Sequence, residues 1–259
     1  MIQAKEISYK INTISILENL NFQAKKGEFI VIVGPNGAGK SSFLTLLANE
    51  TDSLETKKIV LKNTILPDWK IDELAHHKSK FSQQYSHDIP LLVKEVVLMG
   101  RYPYFDSKPK LEDWEKVEKM MIETDIFQLQ ERDYTTLSGG EKQRVHLARA
   151  LVQLENEVQN KIIFLDEPLN NLDIKHQHNT LQLIRKFTNN GNSAIVVLHD
   201  LNLAADFADR IFLMKNGKLL AEGIPTEVFQ SEIIEEAYNF PCTVCKNPVN
   251  NKPLIIFGN

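Results

Sequence analysis

Two kinds of hydrophobic pattern alternate along this chain. A β-rich run at 7–11 is followed by short, mainly apolar runs at Phe29–Val33, 161–165, 193–198 and 210–215. Their aliphatic and β-branched makeup predicts strands. Between them lie segments whose apolar positions return every three or four residues. Phe43, Leu44, Leu46 and Leu47 do so within 41–50, Val117, Met120, Met121 and Ile122 within 113–127, and Val145, Ala148, Leu151 and Val152 within 141–155. These spacings predict amphipathic helices. Lys25-Lys26-Gly27-Glu28 has turn chemistry, and 57–66 reads as a further strand. Short strands alternating with helices predict an α/β fold with a buried, largely parallel sheet. The expected division is a core of 1–87 and 156–259, interrupted by a helical insertion at 88–155.

The strand Phe29–Val33 runs into Gly34-Pro35-Asn36-Gly37-Ala38-Gly39-Lys40-Ser41, and a helix follows. This is the phosphate-loop spacing in its strand–loop–helix context. Glycines let successive backbone N–H groups curl around phosphate oxygens, and the helix start adds partial positive charge. Lys40 suits the β- and γ-phosphates of a nucleoside triphosphate, and the Ser41 hydroxyl suits Mg²⁺. A second apolar strand, 161–165, ends in Asp166-Glu167. Asp166 fits a Mg²⁺-holding role near the phosphates, and Glu167 fits the orientation or deprotonation of water. Leu137-Ser138-Gly139-Gly140-Glu141 precedes the predicted helix of 141–155. Ser138 and Glu141 have capping-box spacing, and Ser-Gly-Gly leaves a helix start suited to a second anion.

Taken together, LSGGEKQRVHLARAL, the phosphate loop before it and FLDEP after it resemble the nucleotide-binding subunit of ABC transporters, over nearly the whole chain. The resemblance implies a P-loop cassette with an antiparallel β part near the N-terminus. It implies ATP and Mg²⁺ as ligands and a head-to-tail homodimer. In that dimer each ATP lies between Gly34–Ser41 and Ser42 of one copy and Leu137, Ser138, Gly139, Gly140 and Glu141 of the other. Tyr9 resembles the aromatic that stacks on adenine. Gln83, with Gln84 beside it, resembles the glutamine that contacts Mg²⁺ or the attacking water. Asp173 ends a segment similar to the family's D-loop and is expected at the dimer interface; Leu169 and Asn170 stand where Thr and Ser are common. His199 matches the histidine placed at the γ-phosphate. Glu167, His199 and Gln83 form the expected catalytic set, and Ser41, Gln83 and Asp166 the expected Mg²⁺ set.

After Gln83 the run Val93-Lys94-Glu95-Val96-Val97-Leu98-Met99-Gly100-Arg101-Tyr102-Pro103 is similar to a pattern in importers of iron-siderophores, heme and cobalamin. The family places it near the permease. The polar stretch 154–160 and the Asn-Pro and Lys-Pro tail resemble the hemin-import branch, which makes heme import the favoured function. Import of iron-siderophores or cobalamin is the alternative, and a soluble ABC ATPase, such as one of iron–sulfur assembly, a more distant one. The implied partners are membrane permease subunits and, through them, a heme-binding periplasmic protein or lipoprotein. The implied location is the cytoplasmic face of the membrane.

Composition adds exclusions. The chain has 259 residues, 25% of them charged, with a net charge of −4. That balance gives no basis for nucleic-acid binding. Its longest apolar runs are five residues, against about 20 for a membrane-spanning helix. Two cysteines, Cys242 and Cys245, are too few for a disulfide framework and are only half of a four-cysteine zinc site. They are expected on a C-terminal strand or turn.

Overall fold

The computed structural model describes residues 1–82 and 90–258. They form two compact units, 1–69 with 193–259, and 70–192. The first unit opens with a long antiparallel hairpin of β1 (Ile2–Ile11) and β2 (Ile14–Ala24), paired from Ile2↔Ala24 to Ile11↔Ile14 with shifts of register between Ala4 and Ile7, Ile7 and Tyr9, and Tyr9 and Lys10. Ile2, Ala4, Ile7, Leu17, Leu20 and Phe22 turn inward from it. Next comes β3 (Phe29–Val33), each residue of which is fully buried. The helix α1 (Lys40–Leu47) then buries Phe43, Leu44, Leu46 and Leu47.

The single strand expected over 57–66 is instead a 3₁₀ turn, Leu54–Lys58, and two short strands, β4 (Ile59–Leu61) and β5 (Thr64–Ile65). Lys62 and Asn63 both take positive φ, 49° and 68°, the geometry of a tight two-residue hairpin turn. β4 pairs antiparallel with β1 and with β5, so this N-terminal sheet is antiparallel throughout.

The second unit begins with α2 (Ile71–His77) and β6 (Lys78–Phe81). It continues with α3 (Val93–Leu98), a 3₁₀ segment Met99–Tyr104, α4 (Leu111–Glu123) and α5 (Gly139–Val152). The strand β7 (Ile162–Asp166), parallel to β6, and α6 (Ile174–Asn189) complete it. Local signals set these helices. The Glu95 carboxylate accepts from the Leu92 N–H at 2.8 Å to start α3, and Asp113 accepts from the Lys110 N–H at 2.9 Å to start α4.

The chain returns to the first unit with β8 (Ser193–Val197), α7 (Leu201–Phe207), β9 (Arg210–Lys215) and β10 (Lys218–Gly223). Here β3 lies between β8 and β9, parallel to both, and β10 runs antiparallel to β9. Phe22, Phe43 and Phe212 bring β2, α1 and β9 together, with ring centroids 5.3–5.6 Å apart. Arg210 makes a forked pair with Glu28 at 2.8 and 2.9 Å, which fixes the mouth of β3 against β9. Two short helices, α8 (Pro225–Val228) and α9 (Ser231–Tyr238), lead to the hairpin of β11 (Cys242–Lys246) and β12 (Pro253–Phe257). Both cysteines lie on β11, Cys242 buried and Cys245 exposed. Among the described residues no helix is long and apolar enough to cross a membrane.

The second unit is built around a buried charge. The Arg101 side chain is 2% exposed. Its Nε donates to Asp113 Oδ1 at 3.0 Å and its Nη1 to the carbonyls of Val152 and Glu155 at 3.1 and 2.9 Å. The guanidinium carbon lies 3.6 Å from the centre of the Tyr104 ring, a cation–π distance. Tyr104 donates in turn to the Gln153 carbonyl at 2.6 Å and accepts from Asn156. One side chain thus joins α4, the end of α5 and the turn after α3. The Gly-Arg-Tyr-Pro-Tyr run is therefore largely internal, and Tyr102 is its exposed member.

Removing Asp113 would leave the guanidinium buried without its counter-ion. Asp113→Ala is expected to lower unfolding free energy by about 3–5 kcal/mol, measured from urea midpoints, with Asp113→Asn losing less because it keeps an acceptor on Arg101.

Candidate functional site

The first unit holds the phosphate loop. It leaves β3 at Gly34, whose φ is 146° and where a methyl group would lie 2.1 Å from the Met214 carbonyl oxygen. No residue with a Cβ fits there without moving β9. Farther along, the loop is held by backbone contacts. The Gly217 N–H donates to Ala38 O at 3.1 Å, and Ala38 N–H to Pro35 O at 3.2 Å. Leu17 of β2 lies against Gly39. The Lys40 side chain, 6% exposed, donates through Nζ to Gly34 O at 2.8 Å and Pro35 O at 2.9 Å. Its charge is therefore folded over the loop.

Gly39 is the N-cap of α1 and no side chain caps the helix, so its leading N–H groups face the loop. Ser41 is exposed and Ser42 half-buried at this helix start. Tyr9, half-buried, pairs across the ladder with Leu17. That register puts Tyr9 one strand away from the residue touching Gly39. His199 is exposed just beyond β8, and Asp200 caps α7 by accepting from the N–H groups of Asn202 and Leu203.

The second unit holds the acidic strand end and the Ser-Gly-Gly helix start. Asp166 closes β7 and, like Glu167, is half-buried. Glu167 has φ 51°, a left-handed conformation that strains a residue bearing a side chain. Its carbonyl accepts from Gln143 Nε2 at 3.1 Å, and its carboxylate from Asn170 Nδ2 at 2.7 Å. The Ser138 capping box predicted from spacing is present. Ser138 N–H and Oγ both donate to Glu141 Oε2 at 2.7 Å, and Glu141 N–H donates back to Ser138 Oγ at 3.4 Å. Those Ser138 donors hold the Glu141 carboxyl below the usual range. Leu137 is buried, whereas Ser138 and Gly139 are exposed. Asp173 is exposed and caps α6 by accepting from His176 N–H at 2.9 Å. Gln83 lies outside the described residues.

The sequence profile of the ABC transporter family matches residues 17–170. The chain belongs to the ABC transporter family. An ABC protein of the same extent is found in Aliivibrio fischeri, where the hemin import ATP-binding protein HmuV is 42% identical over 98% of this chain and 96% of its own. HmuV of Escherichia coli O157:H7 is 40% identical over the full length of both. Among solved structures, an inward-facing metal-chelate type ABC transporter superposes with TM-score 0.82 at 22% identity, covering 100% of this chain and 97% of that one. A dimeric ATP-binding cassette in a post-hydrolysis state, bound to ADP and Pi, superposes with TM-score 0.74 at 30% identity, covering 86% of this chain and 98% of that one.

This ABC cassette also contains contacts that sequence reasoning missed. The Tyr238 hydroxyl at the end of α9 is buried beside the Gly34 peptide, without a hydrogen bond of good geometry among the described residues, and burial pushes its pKa up to about 12. Nothing in the helical period of 231–238 marks that approach. His146, on the buried stripe of α5, lies with Nε2 2.6 Å from the Tyr134 hydroxyl. Tyr134 stands three residues before Leu137, so this bond braces the entry to the signature segment.

Burial first, and then Arg149 and Lys142, lower the His146 pKa from 6.5 to about 3. Between those pH values the unfolded chain takes up a proton that the folded chain does not. Stability from this group is therefore fully present above pH 6.5 and is lost as pH falls, by at most about 1.4 kcal/mol per pH unit. His146→Gln, which keeps a polar partner for Tyr134 but does not titrate, is expected to flatten the decline of urea midpoints between pH 6.5 and 5.

Proposed function

We propose that this chain is the ATP-hydrolysing subunit of an ABC importer for hemin, acting as a head-to-tail pair of copies on membrane permease subunits at the cytoplasmic face. The observation that carries this reading is similarity along essentially the whole chain, at 36–42% identity, to hemin import ATP-binding proteins. The phosphate loop, the Asp166-Glu167 strand end and the Ser-Gly-Gly helix start occur in the family's order. A periplasmic or lipid-anchored heme-binding protein would deliver the cargo to the permease; this subunit would contact the permease, but neither the cargo nor the binding protein.

In this reading the backbone of Gly34-Pro35-Asn36-Gly37-Ala38-Gly39 and the hydroxyls of Ser41 and Ser42 receive the triphosphate, with Tyr9 against the base. Lys40 exchanges its two carbonyl partners for β- and γ-phosphate oxygens, a charge-assisted replacement. Ser41 and Asp166 supply the hydroxyl and carboxylate oxygens that a hard cation prefers. Mg²⁺ takes few protein ligands beside phosphate and water, and among the described residues no cluster of three or more metal-binding side chains is present. Bound there, Mg²⁺ would neutralise charge on the β- and γ-oxygens.

Glu167 takes a proton from the attacking water, whose oxygen bonds to the γ-phosphorus as the bond from that phosphorus to the β,γ-bridging oxygen breaks; His199 and Gln83 act at the γ-phosphate, and ADP and inorganic phosphate leave. Leu137, Ser138, Gly139, Gly140 and Glu141 of the second copy close the site, with Asp173 at the interface. Ser138 Oγ would exchange its bond to Glu141 for a phosphate oxygen. Catalysis then requires the dimer.

Glu167→Gln is expected to retain ATP binding and ATP-dependent dimerisation, seen as a doubling of solution mass, while turnover falls at least 100-fold; undiminished turnover would remove Glu167 as the base. With the permease in vesicles, hemin-loaded binding protein is expected to stimulate hydrolysis. Stimulation only by a siderophore or cobalamin complex would replace hemin as the cargo.

A further inference from the structure

Ser138 and Gly140 open the same helix, α5, that carries Gln143 one turn later. Gln143 is a polar residue only 8% exposed. Its amide does not serve the helix; it reaches across to the carbonyl of Glu167. That carbonyl belongs to a residue in a strained left-handed conformation, which persists only where the surroundings over-determine it. The loop after Glu167 adds two further restraints. Asn170 donates its backbone N–H to the Glu167 carbonyl at 3.4 Å and its side-chain amide to the carboxylate at 2.7 Å. The next residue, Asn171, presses on the helix start, since a methyl group on Gly140 would lie 2.6 Å from the Asn171 carbonyl oxygen. Gly140, Gln143, Glu167, Asn170 and Asn171 therefore form one packed chain of contacts inside the second unit.

We propose that Gln143 and Asn170 are positioning residues for Glu167, and that they link the start of α5 mechanically to this carboxylate. The inference rests on the reading of Glu167 as the base and of Ser138 and Gly140 as the trans contact. In the dimer, α5 begins at the ATP bound by the second copy, while Glu167 serves the ATP bound by its own copy. A shift of α5 on meeting the partner's nucleotide moves the Gln143 amide, and with it the strained peptide that aims the carboxylate. Each copy thus hydrolyses its own ATP in response to the other copy's. Asn170, standing where the family often has a small hydroxyl residue, supplies a direct donor to the carboxylate.

The test uses heterodimers of the full-length chain, purified through two different affinity tags, with one copy carrying Glu167→Gln. Gln143→Met, close in shape but with no donor, is added to one copy or the other. Placed in the copy with intact Glu167, it is expected to lower kcat at least ten-fold. KM for ATP and ATP-dependent dimerisation should stay within two-fold. Placed in the Glu167→Gln copy, it should change kcat less than two-fold. Equal kcat in both placements, or loss only in the second, would overturn the proposal. Asn170→Ala, at a half-buried loop position, should show the same one-sided loss with ATP-dependent dimerisation kept, and wild-type turnover in it would overturn the role of Asn170. Full turnover of the homodimeric Glu167→Gln protein would be a different failure, that of the base assignment itself.

Discussion

Gly34 meets the carbonyl of Met214 so closely that the phosphate loop has a single way to leave β3. Because β9 runs parallel to β3, Met214 arrives beside the point where the strand ends. The chain must turn away at a left-handed residue without a side chain. From there the loop is pinned by Gly217 on one side and by Leu17 on the other. Gly34 and Gly39 are thus required by the neighbouring strands before any phosphate enters. An anion meets N–H groups already held in place, which is what electrostatic preorganisation demands.

The contrast between the two acidic residues at the end of β7 has a similar origin. Asp166 remains in extended strand geometry, while Glu167 turns left-handed and is restrained by two side-chain amides. A carboxylate on a freely moving loop would spend most of its time misdirected. Strain at the backbone, balanced by Gln143 and Asn170, narrows its range. Ser138 behaves differently, because its hydroxyl is occupied by Glu141 within its own capping box.

Much of this was readable from the chain itself, because phosphate chemistry constrains residue type at fixed spacing. The loop 34–41, the Asp166-Glu167 strand end and the Ser138–Glu141 cap all appear as the pattern predicts. Tertiary distances were not readable. The strand character of 57–66 did not reveal that Lys62 and Asn63 would both take positive φ and split the strand. The run around Arg101 does not show that its charge is buried, since its partners come from residues 113, 152 and 155. The amides of Gln143 and Asn170 were equally silent, because a single sequence does not show which carbonyl a side chain will reach.

Arg101 also gives the second unit a mechanical character. Tyr102 projects from the same 3₁₀ segment whose neighbour, Arg101, is bonded to α4 and to the carbonyls at the end of α5. Load applied at Tyr102 therefore travels into α5 through a cross-brace of ionic and hydrogen bonds, with little compliant loop to absorb it. The exposed tyrosine sits at the end of a stiff lever whose other arm is the helix that begins at Ser138.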